Sequence, residues 1–302
     1  MSQHDQWDIV SGVGITALGV AFARGIESAR ADRLIEDPFA EAFVTAAEPL
    51  LPERVREFGW RGADGAPHPI IVDSSHVMAV RTRVLDDALL TATSAGIRQV
   101  VILAAGLDAR AYRLAWPPAL RLFEIDQPKV LEFKDTVLRE AGASARCTRT
   151  TVAVDLREDW AGELIAAGFA ADQPTAWLIE GLLAYLPPEA EQRLFESITT
   201  LSAPGSHVSA EYITDVSAMV ADKEFGTIAK ELGDELGFEF HTGPRPRPGV
   251  WLSAHGWTVT EESARAAAER YHRDLTPGPA AGRVSMRHSA DFGAFLTARR
   301  TT

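Results

Sequence analysis

Two apolar runs that each end in residues able to hold a nucleoside carry the clearest chemical signal in this chain of 302 residues. Residues 100–104 lead into a small-residue turn that contains Gly106, and residues 121–125 lead into Asp126. Asp126 follows Gly106 by 20 residues. In a nucleoside-binding βαβ unit, this spacing separates a tight turn from a carboxylate that accepts ribose hydroxyls. The pattern predicts a site for a nucleoside-bearing cofactor.

The residues of the first turn bear on whether that cofactor carries phosphates. Ala104 and Ala105 occupy positions where further glycines of a G-x-G-x-x-G turn would stand. A dinucleotide needs such a glycine because its pyrophosphate approaches the backbone closely. The turn therefore favours a nucleoside without phosphates. A purely structural turn followed by a solvated acid is the alternative interpretation.

Two further acids follow later strand-like runs. Asp155 precedes Leu156, a pair suited to an adenine edge, although Asp155 could also cap a helix. Glu180 could hold a cationic amine or could be an ordinary loop acid. We expect acids to outnumber bases along this edge, which favours a cationic nucleoside. S-adenosylmethionine, with its sulfonium, amino group, ribose diol and adenine, is such a molecule.

Alternating strands and helices place these residues at one edge of a sheet. Helical segments at 128–141, 160–167 and 188–201 separate strand-like runs, as in a parallel sheet covered on both faces. We therefore expect an α/β, Rossmann-like domain with seven mostly parallel strands. The strand-like runs are residues 100–104, 121–125, 150–154, 176–179, 207–211, 257–261 and 292–298.

The remaining segments predict a helical cover and a helical lid over that edge, where ligands bind in open α/β sheets. Asp37 and Pro38 indicate a helix with proline at its first position, and 215–236 reads as a long helix. We expect one domain over residues 1–302. Its parts are an N-terminal helical cover (1–96), a cofactor-binding core (97–212), a lid insertion (213–250) and closing strands (251–302).

Composition excludes several function classes. The net charge of −12 and the absence of a basic run argue against a nucleic-acid partner. Cys147 is the only cysteine, which excludes an intramolecular disulfide and a thiolate zinc cluster, and we expect no metal. The polar N-terminus lacks signal-peptide features and the apolar runs are too short to span a membrane. We expect a soluble, cytoplasmic protein, and its oligomeric state stays open.

The chain resembles the leucine carboxyl methyltransferase-like family of S-adenosylmethionine-dependent methyltransferases, and within it the bacterial branch. The resemblance covers nearly the whole chain and implies a class I methyltransferase fold with S-adenosylmethionine as cofactor. The segments that carry it are Gly12-Val-Gly-Ile-Thr-Ala-Leu18, Arg24-Gly-Ile-Glu27, Asp37-Pro-Phe-Ala40, Arg81-Thr-Arg83, Ala105-Gly-Leu-Asp-Ala-Arg-Ala-Tyr112, Phe123-Glu-Ile-Asp-Gln-Pro128, Val154-Asp-Leu-Arg157 and Trp177-Leu-Ile-Glu-Gly-Leu-Leu-Ala-Tyr-Leu186.

The resemblance also implies roles for individual residues around the cofactor. These roles are Gly106 beside the methionine moiety, Asp126 at the ribose, Asp155 and Leu156 at the adenine, Glu180 near the methionine amine or sulfonium, Arg81 at the cofactor carboxylate, and Arg24 assisting from the cover.

The methyl acceptor decides which further residues are needed. A carboxylate is ionised at neutral pH and needs only a clamp, for which Arg81 and Tyr185 are the predicted catalytic residues, with Tyr212 as a second lining residue. A hydroxyl or enol needs a base, and His76, His207 and His241 are available.

Three kinds of protein fit these residues. The leading hypothesis is an O-methyltransferase acting on a carboxylate of a small molecule or peptide. A hydroxyl or enol O-methyltransferase of a natural-product pathway is the alternative within the same class. A nicotinamide-dependent oxidoreductase and a non-catalytic cofactor-binding protein are the alternatives from other classes.

Overall fold

The computed structural model describes Ile9 and residues 13–51, 65–222, 240–276 and 285–301. A seven-stranded sheet runs through these residues in the order β3-β2-β1-β4-β5-β7-β6. Strand β7 is antiparallel to both of its neighbours, whereas the other pairs are parallel. The strands are β1 (Gln99–Leu103), β2 (Arg121–Asp126), β3 (Thr148–Ala153), β4 (Thr175–Ile179), β5 (His207–Ile213), β6 (Trp257–Ser263) and β7 (Gly293–Arg300).

Ten α-helices and three 3₁₀ turns lie in the described ranges. The 3₁₀ turns are Glu48–Leu50, Leu183–Tyr185 and Met286–Asp291. The α-helices are α1 (Val13–Ser28), α2 (Ala40–Ala47), α3 (Pro69–Ser94), α4 (Arg110–Arg113), α5 (Pro128–Glu140), α6 (Trp160–Ala166), α7 (Pro188–Thr200), α8 (Val216–Ala221), α9 (Pro248–Ala254) and α10 (Ala264–Arg270).

The centre of the sheet is buried on both faces. Every residue of β1 and β4 is buried, which explains why these strands read as continuous apolar runs rather than as alternating ones. Trp177 of β4 is fully buried, and its indole nitrogen donates to the Ser202 hydroxyl at 2.9 Å. This packing fixes the carboxyl ends of the strands and hence the residues that follow them.

The N-terminal cover packs over the carboxyl edge as predicted. Helix α1 lies against α2 and α3. A Cβ built on Gly106, in the turn after β1, would lie 3.4 Å from the Ala17 Cβ of α1. The close approach of α1 to this turn therefore leaves little room for a larger residue than glycine.

Several predicted boundaries differ from the structure. The second helix begins at Ala40 with Phe39 as its cap, so Pro38 lies in the preceding turn rather than at the first helical position. Within the predicted lid, only Val216–Ala221 and the start of α9 are described as helical, and 223–239 lie outside the described residues.

Helix α10 and the 3₁₀ turn Met286–Asp291 had no sequence prediction. Both are short, so they carry too few residues for a clear helical period. The Ser263 hydroxyl caps α10 by accepting from the Ala266 N–H at 3.1 Å. No helix in the described part of the chain is long and apolar enough to cross a membrane.

Candidate functional site

The first part of the site is the turn after β1 and the carboxylate at the end of β2. Because the two strands are parallel neighbours, they end at the same edge, and the Gly106 N–H donates to Asp126 Oδ2 at 2.6 Å. Gly106 has φ +45° and Ala104 has φ +50°, both in the left-handed region. The structure thus places Gly106 and Asp126, which the sequence predicted for one site, in direct contact. Glycine would adopt the φ of Ala104 with less strain than alanine does.

Asp126 also connects to the tip of the next strand. Its Oδ1 accepts from the Gln127 N–H at 2.7 Å, and the Gln127 side chain donates to Asp155 Oδ2 at 3.1 Å. Burial raises the pKa of Asp126, and its two N–H donors offset only part of that rise. Asp155 also accepts from the Arg157 guanidinium at 2.9 and 2.6 Å. Leu156 is partly buried against the core. The residues predicted to bind the ribose and the adenine, Asp126, Asp155 and Leu156, therefore lie on neighbouring strand ends.

Three arginines surround Glu180 at the tip of β4. Oε1 accepts from Arg24 Nη2 at 2.7 Å and from Arg81 Nε at 2.9 Å, and Oε2 accepts from Arg110 Nη1 at 2.7 Å. Burial alone would raise the pKa of Glu180, but the charges of Arg24, Arg110 and Arg81 hold it well below its usual range. The structure therefore brings together Arg24, Arg81 and Glu180, which lie on α1, on α3 and after β4.

Arg110 is the member of this cluster that the sequence did not single out as a site residue. It is fully buried, and it also binds Asp86 through Nε at 2.6 Å and Asp108 through Nη1. Its Nη2 is buried without a hydrogen-bond partner. Two features of the sequence could have identified Arg110: its position four residues after Gly106 and the nearby Asp108.

The cluster adds basic charge to an edge at which we expected acids to outnumber bases. Three arginines contact the carboxylate of Glu180. Two of those arginines come from α1 and α3, far from the strands in sequence. Counting charges at strand ends alone missed them.

A mostly apolar cavity of about 170 Å³ adjoins the cluster, with Arg81 in its wall. The Glu211 carboxylate, at the end of β5, accepts from the Gly181 N–H at 3.0 Å and lies 3.9 Å from Arg81 Nη1. Tyr185 stacks on Phe240 with ring centres 5.3 Å apart. Glu211 is a cavity residue that sequence reasoning missed.

Tyr185 and Tyr212 both line this cavity, but their hydroxyls have different partners. The Tyr185 hydroxyl hydrogen-bonds with Thr16, and burial raises its pKa despite Thr16 and Arg81. The Tyr212 hydroxyl donates to Glu261 Oε1 at 2.6 Å. Tyr185 therefore lines the cavity beside Arg81, whereas the Tyr212 hydroxyl is already hydrogen-bonded to Glu261 of β6.

No histidine is among the described residues that line the cavity. His207 begins β5, at the opposite edge of the sheet. Burial and the charges of Arg287 and Arg30 lower the pKa of His76 to about 4, which leaves a neutral and weak base at pH 7. The structure does not bring His76, His207 or His241 to the cavity.

The sheet order and the strand-tip site define a class of protein. A solved structure of a Thermobifida fusca protein described as a methyltransferase shares this architecture, with a TM-score of 0.55. The match covers 95% of this chain and 94% of that chain at 16% identity. The protein has the α/β class I methyltransferase fold, as predicted.

The chain belongs to the leucine carboxyl methyltransferase family, whose model matches residues 17–199. A Saccharopolyspora erythraea relative is 47% identical over 276 residues, covering 91% of this chain and 94% of the relative. A Rhodococcus jostii relative is 44% identical over 289 residues, covering 91% and 92%. Both are named as S-adenosyl-L-methionine-dependent methyltransferases. The protein is therefore a methyltransferase that uses S-adenosylmethionine, and this prediction is confirmed.

Proposed function

We propose that the protein is an O-methyltransferase that methylates a carboxylate of a small molecule or peptide. The main support for this proposal is the position of Arg81 in the cavity wall. The only hydrogen bond of Arg81 within the described residues runs from Nε to Glu180. Both Nη groups remain to donate, and a guanidinium fork matches the two oxygens of a carboxylate.

The strand-tip residues would hold the ribose and adenine of the cofactor. Asp126 accepts one backbone N–H on each oxygen, which leaves further lone pairs for the ribose diol. Gly106 would line the methionine moiety, where a side chain would meet α1. Asp155 would accept from the adenine amine while Leu156 packs on the ring.

The Glu180 cluster would hold the amino-acid end of the cofactor. Glu180 would face the methionine amine, and Arg24 would face the cofactor carboxylate, which leaves the Nη groups of Arg81 for the acceptor. A buried donor without a partner costs about 1–3 kcal/mol. The unpartnered Nη2 of Arg110 supports this fit, because a bound carboxylate would bring an acceptor into the cluster.

The proposed reaction moves no proton. S-adenosylmethionine supplies a methyl group on a sulfonium. A bond forms between an acceptor carboxylate oxygen and the methyl carbon while the carbon–sulfur bond breaks and its electrons return to sulfur. A methyl ester and S-adenosylhomocysteine result. The protein's contribution is to align the acceptor and exclude water, and such alignment can supply roughly 7–11 kcal/mol.

Tyr185 would complete the clamp. Because its pKa is raised, its hydroxyl stays protonated at neutral pH and can donate to an acceptor oxygen. Arg81 would neutralise the acceptor charge from the same wall of the cavity. A neutral methyl ester loses most of this attraction, which favours release of the product.

The variant Tyr185→Phe tests this role. We expect unchanged affinity for S-adenosylmethionine by calorimetry, but a kcat/KM for the acceptor lowered about 10- to 100-fold, the usual worth of a hydrogen bond to a charged group. Tyr271→Phe is the matched control, since Tyr271 binds Asp87 outside the cavity. Equal kcat/KM values for Tyr185→Phe and wild type would show that the Tyr185 hydroxyl does not contact the acceptor and that the side chain serves packing alone.

A hydroxyl or enol acceptor is the second candidate, and Glu211 is the observation that favours it. Glu211 is the only carboxylate among the described residues lining the cavity, and a hydroxyl acceptor needs a base. Methylation of alcohols or phenols in preference to acids, abolished by Glu211→Gln, would select this candidate.

A further inference from the structure

The charges of the cavity are confined to one end. Arg81 and Glu211 are the only charged side chains among the described residues that line it, and they lie 3.9 Å apart beside Gly181. Gly181 directly follows Glu180, so this charged end adjoins the arginine cluster. An acceptor therefore meets ionic groups at the end where the cluster lies.

The rest of the cavity is mostly apolar. Three methionines, Met78, Met219 and Met286, line it together with Phe240 and Phe295. Methionine side chains are flexible and polarisable, and they make favourable contacts with aromatic rings. Such a lining accepts apolar bodies of differing shape but offers few partners for polar groups.

The volume of the cavity indicates what would fill it. That volume is about 170 Å³. An engineered apolar cavity of about 150 Å³ binds benzene. An apolar body of about one aromatic ring, or a chain of roughly six to eight carbons, would therefore fill the cavity.

We propose that the methyl acceptor is a small monocarboxylic acid, with its carboxylate at Arg81 and its apolar body among the methionines. This inference rests on the proposed carboxyl methylation and narrows it. A second carboxylate would face the apolar lining, because Arg81 is the only cationic side chain among the described residues that line the cavity. A peptide would bury backbone N–H and C=O groups against methionine and phenylalanine, at about 1–3 kcal/mol for each unpaired group.

An acceptor panel with methyl-labelled S-adenosylmethionine tests the inference. Octanoate and phenylacetate represent the proposed class of monocarboxylic acids. Octanedioate tests the effect of a second carboxylate, and a peptide ending in leucine tests the peptide alternative. We expect kcat/KM for the two monocarboxylates to exceed those of octanedioate and the peptide at least tenfold.

The outcomes separate the two proposals. Preferred methylation of the peptide or of octanedioate overturns the inference and leaves carboxyl methylation standing. Methylation of octanol and 2-phenylethanol, but not of the acids, overturns carboxyl methylation itself. Calorimetric binding of octanoate in the presence of S-adenosylhomocysteine supplies a readout without turnover. Absence of both binding and methylation of octanoate and phenylacetate overturns the inference.

Two variants locate the acid within this cavity. Ala184→Leu fills part of it and should move the preference from octanoate to butyrate at least tenfold. Met78→Ala enlarges it and should move the preference towards dodecanoate. Val72→Ala is the control, because Val72 is exposed on the helix that carries Met78 and lies outside the cavity lining. Unchanged chain-length preference in both cavity variants overturns the placement.

Discussion

At the scale of single residues, Glu180 is the carboxylate that three arginines of the site share. It balances Arg24, Arg81 and Arg110, two of which are buried. Removing one partner of a buried ion pair leaves an uncompensated charge, which costs about 3–5 kcal/mol. The negative charge of Glu180 therefore links helices α1, α3 and α4.

We predict that Glu180→Gln lowers the free energy of unfolding by about 3–5 kcal/mol, measured by urea denaturation. Glu196→Gln is the control, since Glu196 is exposed on α7 and, among the described residues, its side chain bonds only with Gln192. A loss below about 0.5 kcal/mol, the usual size of a surface change, would show that the cluster is not stabilising.

Cys147 supplies a second prediction at this scale. Burial and the Glu124 carboxylate raise the pKa of its thiol to about 11, so little thiolate exists at pH 8. We predict slow iodoacetamide alkylation of the folded protein at pH 8, and fast alkylation after unfolding in urea. Alkylation of the folded protein at the rate of glutathione would contradict the raised pKa.

Among the elements, the turn after β1 is where sequence and backbone disagree. Ala104 adopts φ +50°, which costs an L-residue roughly 1–2 kcal/mol. Glycine relieves this strain but adds roughly 0.5–1 kcal/mol of entropy loss on folding. We predict that Ala104→Gly stabilises the protein by up to about 1 kcal/mol in urea denaturation.

Ala105→Gly is the matched control for that variant. Ala105 is buried in the same turn without a positive φ, so glycine there relieves no strain, adds the entropic loss and removes a buried methyl group, and it should destabilise the protein. Destabilisation of the same size by both variants would contradict the strain assigned to Ala104.

The elements also show which parts of the fold the sequence can predict. All seven strands were predicted as strand-like runs, most clearly β1 and β4, which are buried throughout and are apolar apart from Gln99 and Thr175. The spacing of Gly106 and Asp126 predicted that both lie at one edge of the sheet, and the structure brings them into hydrogen-bond contact. Arg110 and Glu211 were missed because their importance depends on helices and strands that meet only in three dimensions.

At the scale of the whole molecule, one edge of the sheet holds both the proposed cofactor residues and the cavity. The tips of β1, β2 and β3 present Gly106, Asp126 and Asp155, whereas the tips of β4 and β5 present Glu180 and Glu211. Helices α1 and α3 close over this edge and contribute Arg24 and Arg81. The proposed cofactor residues and the cavity therefore meet at Arg81, which contacts Glu180 and lines the cavity.

The measurement that tests this account most directly is calorimetric titration of wild type and Asp126→Ala with S-adenosylmethionine, S-adenosylhomocysteine and NAD. Asp172→Ala is the control, since Asp172 is exposed in the loop before β4, away from the carboxyl edge. We predict that wild type and control bind both adenosyl compounds and not NAD. Asp126→Ala should bind them more weakly by about 1–3 kcal/mol, with its fold intact by thermal unfolding. Binding of NAD alone would contradict the assignment of S-adenosylmethionine to this edge of the sheet. Unchanged affinity in Asp126→Ala would contradict the role given to Asp126.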